Sequence, residues 1–222
     1  MDGQFQNLEQ ALDHHEMRFS PSVVKSLNDY CRLLWATNER MNLTRHTNYE
    51  TFVARDLTDV MQLSELLGED QDILDIGSGG GVPGLVLAIV RPDLNISVCE
   101  SVGKKAKVLQ EFVDQLGLSV TVYNDRVERL LQDDETRYHC CVARAVGPMW
   151  KLLTWLDGKW LLAHRLLAFK GPRWVEEVTE AKARGLTKKL LIKPVVKYPL
   201  YSTDKDAEPL DSLIIEAKRA LR

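Results

Sequence analysis

The chain has 222 residues, 45% hydrophobic and 27% charged, an ordinary globular mixture that excludes wholesale disorder. Its apolar runs reach about five to eight residues, well short of the roughly 20 that a membrane-spanning helix needs. Met1-Asp2-Gly3-Gln4 lacks the basic flank and apolar stretch of a signal peptide, so a cytoplasmic protein with no membrane partner is expected.

Helices are expected first. Ser20-Pro21 reads as an N-cap followed by proline in the first turn. Val23, Val24, Leu27, Cys31, Leu34 and Trp35 then recur at helical spacing. A polar loop, Asn38–Arg45, separates this helix from the next. Thr47-Asn48-Tyr49-Glu50 fits a capping box, opening a helix whose apolar positions include Phe52, Val53, Leu57, Val60, Leu63 and Leu67. From Asp72 the rhythm changes to short apolar strand, turn and helix. Strands are expected at 72–76, 96–100, 119–123, 139–143 and 165–169, with helices near 83–91, 103–117, 126–132, 149–161 and 174–185. That alternation predicts βαβ units in a parallel, helix-flanked sheet. The extended runs 189–197 and 211–217 predict a closing antiparallel hairpin. The expected fold class is therefore α/β. It is a Rossmann-like, seven-stranded, mostly parallel sheet over residues 71–222, preceded by a helical extension over 1–70. Seven strands ending in a hairpin is the arrangement typical of class I methyltransferases that use S-adenosylmethionine.

Two residue types argue against other chemistries. Cys31, Cys99, Cys140 and Cys141 have no CxxC spacing, which predicts buried reduced thiols. The five histidines form neither HxxxH nor HExxH, so no metal site is expected. Charge is divided unevenly. Residues 1–136 hold 12 Lys/Arg against 23 Asp/Glu, and residues 137–222 hold 17 against 9. A basic C-terminal part suits a nucleic-acid backbone, and equally suits solvated helix faces.

Chemistry concentrates at the strand ends. Ile73-Leu74-Asp75-Ile76 runs into Gly77-Ser78-Gly79-Gly80-Gly81-Val82-Pro83-Gly84, where glycines permit positive φ and close approach of backbone to a ligand. Dinucleotide enzymes share GxGxxG, and a tight turn alone needs glycine too. Asp75, two residues before the first glycine, suits the cationic sulfonium and amino groups of S-adenosylmethionine better than a pyrophosphate. Glu100, ending the second strand, can accept ribose hydroxyls, and Asp125, Val127 and Glu128, after the third strand, can meet the adenine. Asp125 reads equally well as a helix N-cap. The fourth strand end, Val142-Ala143-Arg144-Ala145, has no NPPY, DPPY or Pro-Cys. An arginine there fits a target that needs placing rather than deprotonation, such as guanine N7. A structural salt bridge is the other reading of Arg144.

Several blocks together resemble the RsmG (GidB) family, bacterial enzymes that make 7-methylguanosine in 16S ribosomal RNA. They are Trp35 with Asn42-Leu43-Thr44, then Leu74–Gly84 with Arg91-Pro92, then Glu100-Ser101-Val102-Gly103-Lys104-Lys105. Arg126-Val127-Glu128, Arg144-Ala145 and Phe169-Lys170-Gly171 follow in the same order. The resemblance covers about residues 20–217. It implies cofactor contacts at Gly77, Val82, Val127, Glu128 and Arg144, with Glu100 at the ribose. It also implies that S-adenosylmethionine is the cofactor and 16S RNA or the small subunit the partner. Asp75, Gly77, Gly79 and Gly81 would shape the methionine side, while Arg144, Lys170 and Arg45 would place the RNA, with Arg144 the catalytic residue of a monomer. Two departures bear on the target. The family's Arg-His-x-x-Asp-Ser is Arg55-Asp56-Leu57-Thr58-Asp59-Val60 here, and Ala143 stands where a serine precedes the arginine. A small-molecule methyltransferase, or a non-catalytic RNA-binding protein of the same fold, are the competing expectations.

Overall fold

A first helix, α1, covers Leu8–His14, its N-cap Asn7 accepting the Gln10 N–H. The second, α2, covers Pro21–Asn38, with Ser20 capping it as the sequence implies. Leu27, Tyr30, Cys31 and Leu34 form its buried face, and each such side chain removed from water contributes roughly 1.5–3 kcal/mol. The next cap falls one residue later than the capping-box reading. Asn48 accepts the Thr51 N–H at 2.9 Å and starts α3, Tyr49–Thr51. The helix then widens into a π turn, Phe52–Leu57, and resumes as α4, Thr58–Ser64. Thr58 Oγ1 donates to the Val53 carbonyl at 2.9 Å, which also accepts the Thr58 N–H across the wide turn. These positions come from a computed structural model that describes residues 5–132, 137–199, 201 and 210–220.

The alternating part follows the expected rhythm. It runs β1 (Asp72–Ile76), α5 (Gly84–Val90), β2 (Asn95–Cys99), α6 (Gly103–Leu116), β3 (Val120–Tyr123) and α7 (Val127–Leu130). It continues as β4 (Cys140–Ala143), α8 (Met149–Leu156), β5 (Arg165–Lys170), α9 (Trp174–Ala183), β6 (Leu190–Pro199) and β7 (Asp211–Arg219). Helix α8 stops well before 161, because Asp157 turns to extended backbone and Gly158 follows at φ +74°. Spatial order is β3-β2-β1-β4-β5-β7-β6. The first five strands are parallel, and β7 runs antiparallel to both β5 and β6. The hairpin is there as expected, with a register shift between Pro194 and Val196, where proline has no N–H to give the ladder.

Successive residues of each strand face opposite ways. Ile73, Val98 and Val142 join a cluster with Leu8, Leu27, Phe52, Leu85 and Phe112 on one face, while Leu74, Cys99 and Cys141 join Val127, Leu152, Leu156 and Ala181 on the other. Helices α1 and α2 therefore share one core with the sheet. All four cysteines are buried and free.

Candidate active site at the carboxyl ends of the strands

β1 and β4 are neighbours, yet the helices that follow them pack on opposite faces. Such a switch point opens a crevice at the carboxyl ends of the strands. Two cavities lie there, of about 420 and 620 Å³, and they meet at Gly77 and Glu100, which line both. Both volumes fall within the usual range for small-ligand sites.

The glycine turn separates them. Gly79 stands at φ +55° and a Cβ there would meet nothing nearer than 3.8 Å, so the space it leaves is cavity. Gly81 differs, because a Cβ on it would lie 2.8 Å from Leu85. It serves packing and lines neither cavity, contrary to the ligand-shaping role expected for it. Helix α2 braces the turn from outside, the Tyr30 hydroxyl donating to the Gly80 carbonyl at 2.9 Å.

Asp75 also differs from expectation. It is buried beneath the turn and lines neither cavity. One carboxylate oxygen accepts the Gly84 N–H at 3.0 Å and the other has no partner among the described residues. It clamps the start of α5 rather than meeting a cationic ligand. Glu100 keeps a ligand-facing position. Its oxygens accept the Gly79 N–H at 3.1 Å and the Val102 N–H at 2.8 Å, and each retains a second lone pair for a hydroxyl donor. Asp125, Val127 and Glu128 line the smaller cavity with Ile76, Val146 and Trp155, an acidic and apolar lining that fits a nucleoside. The helix α7 is capped by Arg126, so Asp125 is not its N-cap.

The larger cavity holds Val82, Arg45, Arg144 and four residues the sequence reading did not single out as site residues, His46, Asp56, Asp59 and Lys105. Arg144 is spanned by two carboxylates, with Nη2 donating to Asp56 and Nε in an ion pair with Asp59 at 2.8 Å. Asp56 also takes His46 Nδ1, and Asp59 takes the Tyr198 hydroxyl. Burial opposes ionisation of Asp56, but the His46 hydrogen bond and the Arg144 charge outweigh it and hold the carboxyl below its ordinary value. For Asp59 burial wins, and its carboxyl is raised. The structural reading of Arg144 is thus present, although the side chain still borders the cavity. Lys170 is displaced from its expected role. Its ammonium is buried on the Gly147 carbonyl and Glu177, one turn into α9, and is not free to meet a phosphate. Arg45, by contrast, is exposed at the cavity mouth. Away from the site, His14, His15 and Glu50 bring ligand-type atoms within 4.8 Å of one another, a grouping that sequence spacing does not reveal.

Residues 23–199 match the family model described as rRNA small subunit methyltransferase G. The chain belongs to that family. It is 45% identical over 192 residues to the Ribosomal RNA small subunit methyltransferase G of Rhodopirellula baltica, covering 86% of this chain and 82% of that one. It is 34% identical over 174 residues to the protein of the same name from Halorhodospira halophila, covering 78% and 81%. Its fold is similar to M. capricolum TrmK solved with S-adenosyl-homocysteine, at a TM-score of 0.54 and 16% identity over 72% of this chain and 67% of that one.

In this methyltransferase the Asp75 clamp carries a testable signature. Burial pushes its carboxyl up to about 7, the Gly84 N–H offsetting only part of that rise. A raised carboxyl adds stability that is complete below its unfolded value near 3.9 and is lost as pH climbs through about 7. Asp75→Asn keeps an acceptor for Gly84 and removes the titration. Between pH 5 and 8 the wild type should therefore lose about 2–3 kcal/mol more than the variant in urea unfolding. Parallel pH profiles for the two would refute the clamp.

Proposed function

We propose that this methyltransferase moves the methyl group of S-adenosylmethionine to N7 of a guanine in 16S ribosomal RNA, acting as a cytoplasmic monomer. The observation that carries the reading is the pair of cavities joined at Gly77 and Glu100, in a chain whose relatives are named as small-subunit RNA methyltransferases. The smaller cavity suits the adenosine, with Glu100 accepting the ribose hydroxyls and Val127, Asp125 and Glu128 around the base. The glycine turn at Gly77–Gly79, with Val82, suits the methionine end, and residues 1–70 act as the helical extension that braces it. Bound there, the cofactor supplies an activated methyl group. Guanine N7 offers an in-plane lone pair and loses no proton, so the chain's work is placement. Arg144, fixed by two carboxylates with its second terminal nitrogen without a described partner, is rigid enough to orient a base or the cofactor carboxylate.

The deciding experiment is mass spectrometry of 16S nucleosides from cells with the gene present and deleted. One 7-methylguanosine should vanish on deletion and return when the purified protein and S-adenosylmethionine are added to the deleted strain's subunits. Turnover on small molecules without RNA, or RNA protection without methyl transfer, would select the competing readings instead.

RNA contact at the mouth can be weighed by salt. Exposed Arg45, if it meets a phosphate, should contribute about 0.7–0.9 to the slope of log affinity against log salt. Arg45→Ala should lower the slope by that amount, and Lys170→Met should leave it unchanged, since Lys170 is already held by Glu177. A slope that falls only in the Lys170 variant would reverse these assignments.

A further inference from the structure

His46 is held more firmly than a loop side chain needs to be. Its N–H donates to Thr44 Oγ1 at 3.0 Å, and its carbonyl accepts the Trp35 indole N–H at 2.9 Å. The same loop is drawn in by Asn38 Oδ1, which accepts the Leu43 and Thr44 N–H groups at 2.7 and 2.9 Å. Nδ1 of the imidazole lies 2.9 Å from each oxygen of Asp56. Asp56 also faces Arg144 and ionises readily there. A carboxylate can only accept, so Nδ1 carries the proton, and in the neutral form of the ring the lone pair lies at Nε2. His46 lines the larger cavity with its side chain 20% exposed, and Nε2 has no hydrogen-bond partner among the described residues. Around it the wall is rich in donors, namely Arg45, Arg55, Lys105 and Arg144. Of the other carboxylates, Asp59 is engaged by Arg144 and Tyr198, and the free lone pairs of Glu100 are assigned above to the ribose hydroxyls.

Resting on the functional reading above, we propose that His46 is a specificity-determining residue whose Nε2 accepts an N–H of the target base. A guanine that turns N7 toward the methyl donor carries its donors, N1–H and the 2-amino group, on a different edge. Adenine has a bare nitrogen at ring position 1, so two lone pairs would oppose each other there. An acceptor fixed in the wall therefore favours guanine, and leaving it unpaired against a wrong base is costly. Asp56 is the positioning residue, because it sets which imidazole nitrogen holds the proton.

The test uses the full chain on small subunits from the gene-deleted strain, with three variants at one position. His46→Ala should lower kcat/KM for subunits by about 30–100-fold, while calorimetric affinity for S-adenosyl-homocysteine stays within about twofold. His46→Gln, whose Oε1 can accept, should recover a substantial part of the rate. His46→Arg, a donor only, should do no better than alanine. Melting temperatures within a few degrees of wild type would establish that the variants are folded. A folded His46→Ala with wild-type kcat/KM overturns the proposal. Equal recovery by Gln and Arg overturns it too, as does a loss of S-adenosyl-homocysteine affinity matching the loss of rate, which would place His46 in the cofactor's service. A wild type that forms no 7-methylguanosine overturns the functional reading itself, an outcome separate from any of these.

Discussion

Replacing Arg144 by alanine should cost the fold about 3–5 kcal/mol at pH 8, the usual penalty for breaking a buried ion pair from one side. That is a large share of the 5–15 kcal/mol a domain typically has. The variant strands two largely buried carboxylates, Asp56 and Asp59, without their cation. Each can relieve its position by taking a proton, so the deficit should shrink as pH falls toward 5. Arg144→Lys should restore much of the stability and less of the methyl transfer. An ammonium supplies the charge but cannot span Asp56 and Asp59 while offering a further donor to the cavity. Urea unfolding at the two pH values decides the matter. A deficit that does not change with pH would mean that the carboxylates are not what Arg144 neutralises.

The second large effect should come from the glycine turn, in cofactor binding rather than stability. Gly79→Val forces a branched residue to φ +55°, a strain of about 1–3 kcal/mol. Its side chain enters open space instead of protein. The chain should fold, with affinity for S-adenosyl-homocysteine reduced at least about 100-fold, because the branches occupy room a ligand needs. Gly84→Ala should do the opposite kind of damage. A Cβ there would stand 2.7 Å from both Asp75 Oδ2 and Val98 Cγ1, so the clamp on α5 must give way and stability falls first. Calorimetry and melting curves on the pair separate the two roles. Unchanged affinity in folded Gly79→Val would mean that the turn does not border the ligand.

The contrast between those glycines also marks what the sequence could convey. Strand and helix alternation announces itself through short apolar runs, and every strand, the hairpin included, lies within two residues of its expected bounds. The glycine run announces a strained turn, but nothing in the string distinguishes Gly79, which borders space, from Gly81, which packs on Leu85. Charged side chains are harder still. Lys170 reads as a strand-end cation awaiting a phosphate until α9 brings Glu177 against it, seven residues later in sequence. Asp75 reads as a ligand-facing carboxylate until the turn folds over it. His46 gave no signal, since its partner Asp56 lies ten residues away across a loop and a π turn, and no local periodicity encodes that meeting. The departure at Asp56 was legible as a lost histidine, whereas its gain of Arg144 and His46 belongs to the folded chain alone.

The shared core has a consequence for how the chain is made. Leu8, Leu27 and Phe52 emerge early in synthesis, yet the cluster they belong to is completed only by Leu167 of β5 and Ile214 of β7. Helix α1 packs on α2, and α2 on α5 and α6, but the cluster stays incomplete until those strands exist. Part of that apolar surface therefore stays open until the last strands emerge, an interval in which sticky surfaces invite chaperone capture or misassociation. Folding should then arrive late, limited by long-range closures such as the Tyr201 hydroxyl donating to Glu50, 151 positions apart.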